Sequence, residues 1–199
     1  MFQRALSKIE DCHIILDKLI QADDALSFRA LFNSFLTSAR AVTFALQKEG
    51  KHISGFNDWY ALKQQEMRDD ELLRFVHEAR NEDFHEGKHR LTFSTYIDHF
   101  SVKQAGSPPS PNAKLVAGAE GLFWIVDEGT PRERRIPIKR GGRFVIMASI
   151  AKAPTMHRGK PLQANDPVTI CKITLDYLSE LVHEAISRFG TSNLTVSAT

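Results

Sequence analysis

The chain reads as an α+β protein: an N-terminal antiparallel four-helix bundle, a small antiparallel sheet, and one C-terminal helix. Three observations predict this. Apolar residues recur at three-to-four spacing through the first 90 residues, the texture turns to alternation beyond Arg90, and one long apolar stripe returns from Ile170 to Phe189. The corresponding division is a helical bundle over residues 1–103, a β-rich extension whose C-terminal helix packs on the bundle over 104–190, and a tail over 191–199.

Within the bundle, Phe2, Leu6, Ile9, Cys12, His13, Leu16, Leu19 and Ile20 share one face of a first helix over residues 2–20, with His13 in a structural role. After the Asp23-Asp24 break, Phe28, Leu31, Phe32, Phe35, Leu36, Ala39, Val42 and Leu46 define a long second helix that ends by Gly50. Gly55 to Met67 holds Phe56, Trp59, Tyr60 and Leu62, a short helix whose aromatic cluster reads as core, with base stacking as the alternative. A fourth helix follows, with Asp69-Asp70-Glu71 at its start, where the helix dipole favours negative charge. Its apolar face is Leu72, Leu73, Phe75, Val76, Ala79 and Phe84, and Gly87 is a natural stop.

Beyond Arg90, Leu115–Ala119, Leu122–Val126 and Phe144–Ile150 read as strands, as does Leu91–Ser101, with a helix extension as its alternative, and loops fall at Ala105–Ala113 and Ala153–Pro167. In the second loop His157 reads as an exposed histidine, with a site role as the alternative. Asp166 and Pro167 then open the last helix as cap and first-turn residue. Its stripe must be buried against the bundle, the sheet or a second subunit.

Composition bounds the function only loosely. With 199 residues, 42% hydrophobic and 25% charged, the chain can bury a sizeable core. It has no run of 18 apolar residues, and charges are scattered through MFQRALSKIEDCH at its start, so neither a membrane span nor a signal peptide is expected. A cytoplasmic location is the corresponding expectation. Cys12 and Cys171 lie in apolar-periodic segments, as buried thiols rather than a bridge or metal ligands.

Residues that suggest chemistry crowd into the fourth helix, where two motifs overlap. His85-Glu86-Gly87-Lys88-His89 reads H-E-x-x-H, which binds zinc when both histidines share a firm helical face. Gly87 between the ligands argues against that firmness, and Gly106 to Asn112 downstream offers no carboxylate as a third ligand. Arg80-Asn81-Glu82-Asp83-Phe84-His85 reads R-N-x-x-x-H. At about 100° per residue, Asn81 and His85 lie one turn apart on the same side, and Arg80 is about 140° from His85, so one broad polar face holds all three. Such a set suits phosphodiester chemistry, because a guanidinium grips phosphate oxygens and an imidazole moves protons near neutral pH. Arg40 on the second helix could reach the same place, a surface or cap role being the alternative.

The R-N-x-x-x-H run late in an all-helical segment of roughly a hundred residues resembles the HEPN (higher eukaryotes and prokaryotes nucleotide-binding) domains. That resemblance implies a metal-independent endoribonuclease with a composite site at a homodimer interface, as a toxin or defence component with an antitoxin partner. Arg80, Asn81 and His85 would be its catalytic residues, with no cofactor and no metal.

A second pointer toward a polyanion is RERRIPIKRGGR, residues 132–143. Arg132, Arg134, Arg135, Lys139, Arg140 and Arg143 face only Glu133, a local net charge of +5 in a chain of net +2. Clustered positive charge gathers phosphates whatever the base sequence, so these six are expected to contact RNA; a solvated hairpin is the alternative. Two further readings stay open: a non-catalytic dimer that binds a nucleotide or protein, favoured by Glu78, Glu82, Asp83 and Glu86 around the motif, and a zinc hydrolase using the H-E-x-x-H run.

Overall fold

A computed structural model describes residues 1–86, 90–100, 107–118, 121–138 and 142–190. The fold is α+β. Among the described residues there are five helices: α1 (Gln3–Ile20), α2 (Ala25–Gly50), α3 (Phe56–Asp69), α4 (Glu71–Glu86) and, near the C-terminus, α5 (Pro167–Phe189). The strands are β1 (Leu91–Phe100), β2 (Lys114–Gly118), β3 (Gly121–Val126), β4 (Arg134–Pro137), β5 (Gly142–Ile150), β6 (Met156–His157) and β7 (Lys160–Pro161). No described helix is long and apolar enough to cross a membrane.

The chain forms two compact units. One contains Met1–Gln21, Arg29–Arg90 and the chain from Ile150 onward; the other contains Ala22–Phe28 and Leu91–Ser149. In the first, α1 buries Ala5, Ile9, Cys12, Leu16 and Leu19 and packs on α5, whose stripe buries Ile170, Leu178, Leu181, Val182, Ala185 and Phe189. Helix α5 also packs on α4, and α4 on α3. The final helix therefore shares the core of the helices that open the chain, and the apolar stripe needs no second subunit to cover it. Asp166 caps it as its sequence position predicts, accepting from the N–H groups of Val168 and Thr169, both at 3.0 Å.

The aromatic cluster of α3 is core. Phe56 is fully buried and touches the rings of Phe2, Trp59, Tyr60 and Phe189, with centroids 5.5–5.9 Å apart. Trp59 satisfies its indole N–H on Glu184 Oε1 at 2.7 Å, and Glu184 in turn pairs with Lys63 at 2.9 Å. Each of these partners also fixes α3 against α5.

The segment from Ala153 to Pro167, expected as a loop, contains the β6–β7 hairpin. Arg158 and Gly159 at its tip both have positive φ (49° and 70°), the conformation a two-residue hairpin turn requires. A non-glycine residue there needs support, and Asp70 supplies it. Its Oδ2 accepts the Arg158 N–H at 2.7 Å, while Oδ1 accepts the Leu73 N–H at 2.9 Å and lies 3.1 Å from His157 Nδ1. Asp70 is thus the N-cap of α4 and the anchor of the hairpin together. His157 is consequently not the exposed loop histidine its surroundings in the sequence suggest.

In the second unit β2, β3 and β4 form an antiparallel meander, with Leu115 opposite Trp124 and Ile125 opposite Arg135. Among its described residues Leu122, Ile125 and Val126 are buried. Strand β4 lies inside the basic run, where the sequence reading placed no strand of its own. Strand β1 pairs with β5, and Thr92 Oγ1 meets Ser149 Oγ across the pair at 2.7 Å.

Candidate anion-binding site

Within the helical unit, α2, α3, α4 and α5 enclose a pocket of about 350 Å³. Helix α2 contributes Leu36, Ala39, Arg40 and Thr43; α3 contributes Tyr60, Gln64, Met67 and Arg68; α4 contributes Leu73, Arg74, Val76, His77 and Arg80; α5 contributes Thr174 and Leu178. The contribution of α4 follows a helical stripe, since residues three and four apart share a face. Apolar side chains from the buried faces make the inner wall, and four guanidiniums with one imidazole stand around it.

The electrostatics are one-sided. No carboxylate lines the pocket among the described residues, and Arg40, Arg68 and Arg74 have no acidic partner there. Arg40 Nη1 reaches Thr43 Oγ1 at 3.3 Å, and its guanidinium lies 4.3 Å from the centroid of the Phe44 ring. Arg74 Nη1 donates to the Arg68 backbone carbonyl at 3.4 Å, linking α4 to the end of α3. Tyr60 donates its hydroxyl proton to the Thr43 carbonyl at 3.0 Å. Guanidiniums at an apolar wall suit an anion, because a planar fork of N–H donors matches acceptor oxygens.

His77 titrates below the ordinary histidine range. Loss of water on the packed side of its ring is the largest cause; Arg40 and then Arg80 add to it, and Glu78 opposes it. Burial and the neighbouring guanidiniums thus favour the neutral imidazole over the imidazolium. Asn81 Nδ2 lies 3.4 Å from His77 Nε2, and Arg80 Nη1 donates to Asn81 Oδ1 at 3.2 Å.

Of the residues singled out from the sequence, Arg80 lines the pocket and Asn81 joins it through hydrogen bonds to Arg80 and His77. The side chain of His85 lies outside the described residues, as do His89 and the rest of the H-E-x-x-H run beyond Glu86. Among the described residues no three histidines, cysteines or acidic groups come together. Arg90 takes up the nearby carboxylates, pairing with Glu82 at 2.5 Å and Glu78 at 3.4 Å. Two of the four acidic groups that stood against an anion site are thereby engaged. In the basic run, Arg132, Arg134 and Arg135 are exposed, with Glu133 Oε1 3.9 Å from Arg135 Nε. Lys139 and Arg140, and the side chain of Arg143, lie outside the described residues.

Sequence reasoning missed His77, Arg68 and Arg74 and gave Arg40 only a secondary place. His77, Arg80 and Asn81 stand at i, i+3 and i+4, a spacing visible in the sequence. Arg40 and Arg68 belong to other helices, so only the packing reveals that they converge.

The family described as Bacteriophage lambda protein ea47 matches residues 7–96, less than half of the chain. No curated protein and no solved structure gives a match. The family match corrects the resemblance to HEPN domains: the segment that suggested them is similar to the ea47 family, and nothing else points to HEPN. The physical reason is plain. That resemblance rested on three residues of one helix, and so short a pattern arises without common descent.

Proposed function

We propose that the helical unit is a non-catalytic binding module for a phosphate-bearing ligand of about nucleotide size. One observation carries this reading: four arginines and a neutral histidine line a pocket of about 350 Å³ that has an apolar inner wall and no carboxylate among its described residues. A cavity of this size, apolar with a few convergent polar groups, suits a small organic ligand, and the arginines suit its phosphate. In this reading α1 to α4 run as an antiparallel four-helix bundle on which α5 completes the pocket wall. With the Asn81 amide nitrogen 3.4 Å from His77 Nε2, that ring nitrogen is engaged by a neighbour on its own helix rather than free to take a proton from a ligand, which favours binding over proton transfer.

The test is ligand-induced stabilisation. Inorganic pyrophosphate and nucleoside monophosphates at millimolar concentration should raise the melting temperature of the wild type, since a ligand that binds only the folded state stabilises it. Arg40→Ala and Arg74→Ala should abolish most of the rise, and Arg132→Ala should keep it. Equal shifts in all four proteins, or none in any, would refute the reading.

A second reading, metal-free RNA cleavage, is favoured by Arg80 lining this same pocket. The substrate 2′-hydroxyl would attack the adjacent phosphorus as the P–O5′ bond breaks, Arg80 would hold the non-bridging oxygens, and His85 would move the proton from the 2′-hydroxyl to the leaving 5′-oxygen, giving a 2′,3′-cyclic phosphate and a 5′-hydroxyl. Cleavage of RNA in EDTA that is lost in both Arg80→Ala and His85→Ala would support it. Cleavage unchanged in both would assign the activity to a contaminant.

A further inference from the structure

The polar chain along α4 fixes more than the position of its members. Arg80 Nη1 donates to Asn81 Oδ1, and a guanidinium has no acceptor, so the amide oxygen is the end that must face Arg80. The amide nitrogen, which only donates, is left for His77 Nε2. His77 Nε2 therefore accepts, and a neutral imidazole that accepts at Nε2 carries its proton on Nδ1. A second proton at Nε2 would oppose two donors. Turning the Asn81 amide over to receive it would instead set Nδ2 against the Arg80 donor.

The charges facing His77 act in the same direction. Arg40 from α2 and Arg80 from its own helix disfavour an imidazolium, and among the described residues Glu78 favours one. Glu78 also faces Arg90 at 3.4 Å. Helix α3 brings Arg68 to the same pocket, and the pocket wall from α5, Thr174 and Leu178, carries no charge.

We infer that Asn81 is a positioning residue that locks His77 as a neutral Nδ1–H donor, and that the pocket takes its phosphate as the fully ionised terminal monoester. This deepens the phosphate-pocket reading and rests on it. The guanidiniums and the locked imidazole all donate, so the three terminal oxygens of a dianionic monoester all find partners of the right kind. A monoprotonated phosphate presents an O–H to that set of donors. An internal phosphodiester has one charge and two non-bridging oxygens, and so matches fewer of them.

Two measurements on the full chain test this. In long-range nitrogen–proton NMR at pH 7, with the His77 signals assigned by their loss in His77→Gln, the wild type should show a protonated Nδ1 and a bare Nε2. Asn81→Asp, whose carboxylate accepts from both neighbours, should move the proton to Nε2 and raise the histidine's titration. A proton on Nε2 in the wild type, or spectra that Asn81→Asp leaves unchanged, would overturn the lock. In calorimetry, adenosine 5′-monophosphate should bind at least tenfold more tightly at pH 7.5 than at pH 5, and at least tenfold more tightly than 3′,5′-cyclic adenosine monophosphate at pH 7.5. Binding that ignores pH and phosphate type would overturn the selectivity while leaving the pocket reading intact. If neither inorganic phosphate nor either nucleotide bound at any pH, the pocket reading itself would fall, and the ligand half of this inference with it.

Discussion

Asp70 holds the backbone N–H of Arg158 at 2.7 Å, tying the first turn of α4 to the tip of a hairpin 88 residues further along the chain. The same carboxylate caps α4 through the Leu73 N–H and meets His157, and it is almost fully buried. Burial alone would raise its pKa, but the N–H groups of Arg158 and Leu73, followed by His157, outweigh that and hold it below the ordinary aspartate value. A depressed folded-state pKa contributes stability that is complete above the unfolded value of about 4 and is lost as pH falls through the folded value. Asp70→Ala should therefore cost about 2 kcal/mol at pH 7, from one lost cap and an unanchored turn. Urea titrations at pH 7 and pH 3 check both points: the gap between wild type and variant should narrow at the lower pH. A constant gap would show that the carboxylate charge contributes nothing.

Gly50 ends α2 directly beneath the ring of Phe56. A β-carbon at Gly50 would stand 2.3 Å from the nearest Phe56 ring atoms, which no side chain could tolerate without displacement. Phe56 is the centre of the aromatic cluster and is 0% exposed, so it has nowhere to move. Gly50→Ala should destabilise the protein by about 1–3 kcal/mol through overpacking, read as a fall in melting temperature. Gly50→Ala combined with Phe56→Leu should lose less than the sum of the two single changes.

The helices were legible because their apolar faces repeat over many turns. The apolar stripe on α5 announced burial, and only packing could show that α1 and α4 provide the cover. The β6–β7 hairpin was hidden because its strands are two residues long and its tip is Arg158-Gly159, held by a carboxylate 87 or more residues away rather than by a local turn signature. For the site, the sequence yielded Arg80 and Asn81, adjacent on one helix. Arg40, Arg68 and Arg74 come to one pocket from three helices through tertiary contacts that no spacing encodes, and His77 stands outside both the R-N-x-x-x-H and the H-E-x-x-H patterns that begin downstream of it.

Cys12 on α1 and Cys171 on α5 are free, buried thiols. Burial, with Asp11 beside it and Lys8 opposing, pushes the Cys12 thiol up to about 12, and burial followed by the charge of Cys12 drives Cys171 well above its ordinary value. A thiol with so high a pKa is almost never a thiolate near neutral pH, and the thiolate is the reactive form. In the native protein at pH 8 both cysteines should resist Ellman's reagent for hours, and both should react within seconds in denaturant. Rapid reaction of either in the folded state would contradict the packing of α1 on α5.

The most direct measurement is equilibrium binding of radiolabelled adenosine 5′-monophosphate to the wild type and to Arg40→Gln/Arg74→Gln. Each lost charge-assisted contact is worth about 1.5–3 kcal/mol, so the double variant should bind at least about 100-fold more weakly. The wild type should saturate at one ligand per chain. Saturation of both proteins at the same ligand concentration, or the absence of saturable binding by the wild type, would contradict the assignment of the arginine-lined pocket to a phosphate-bearing ligand.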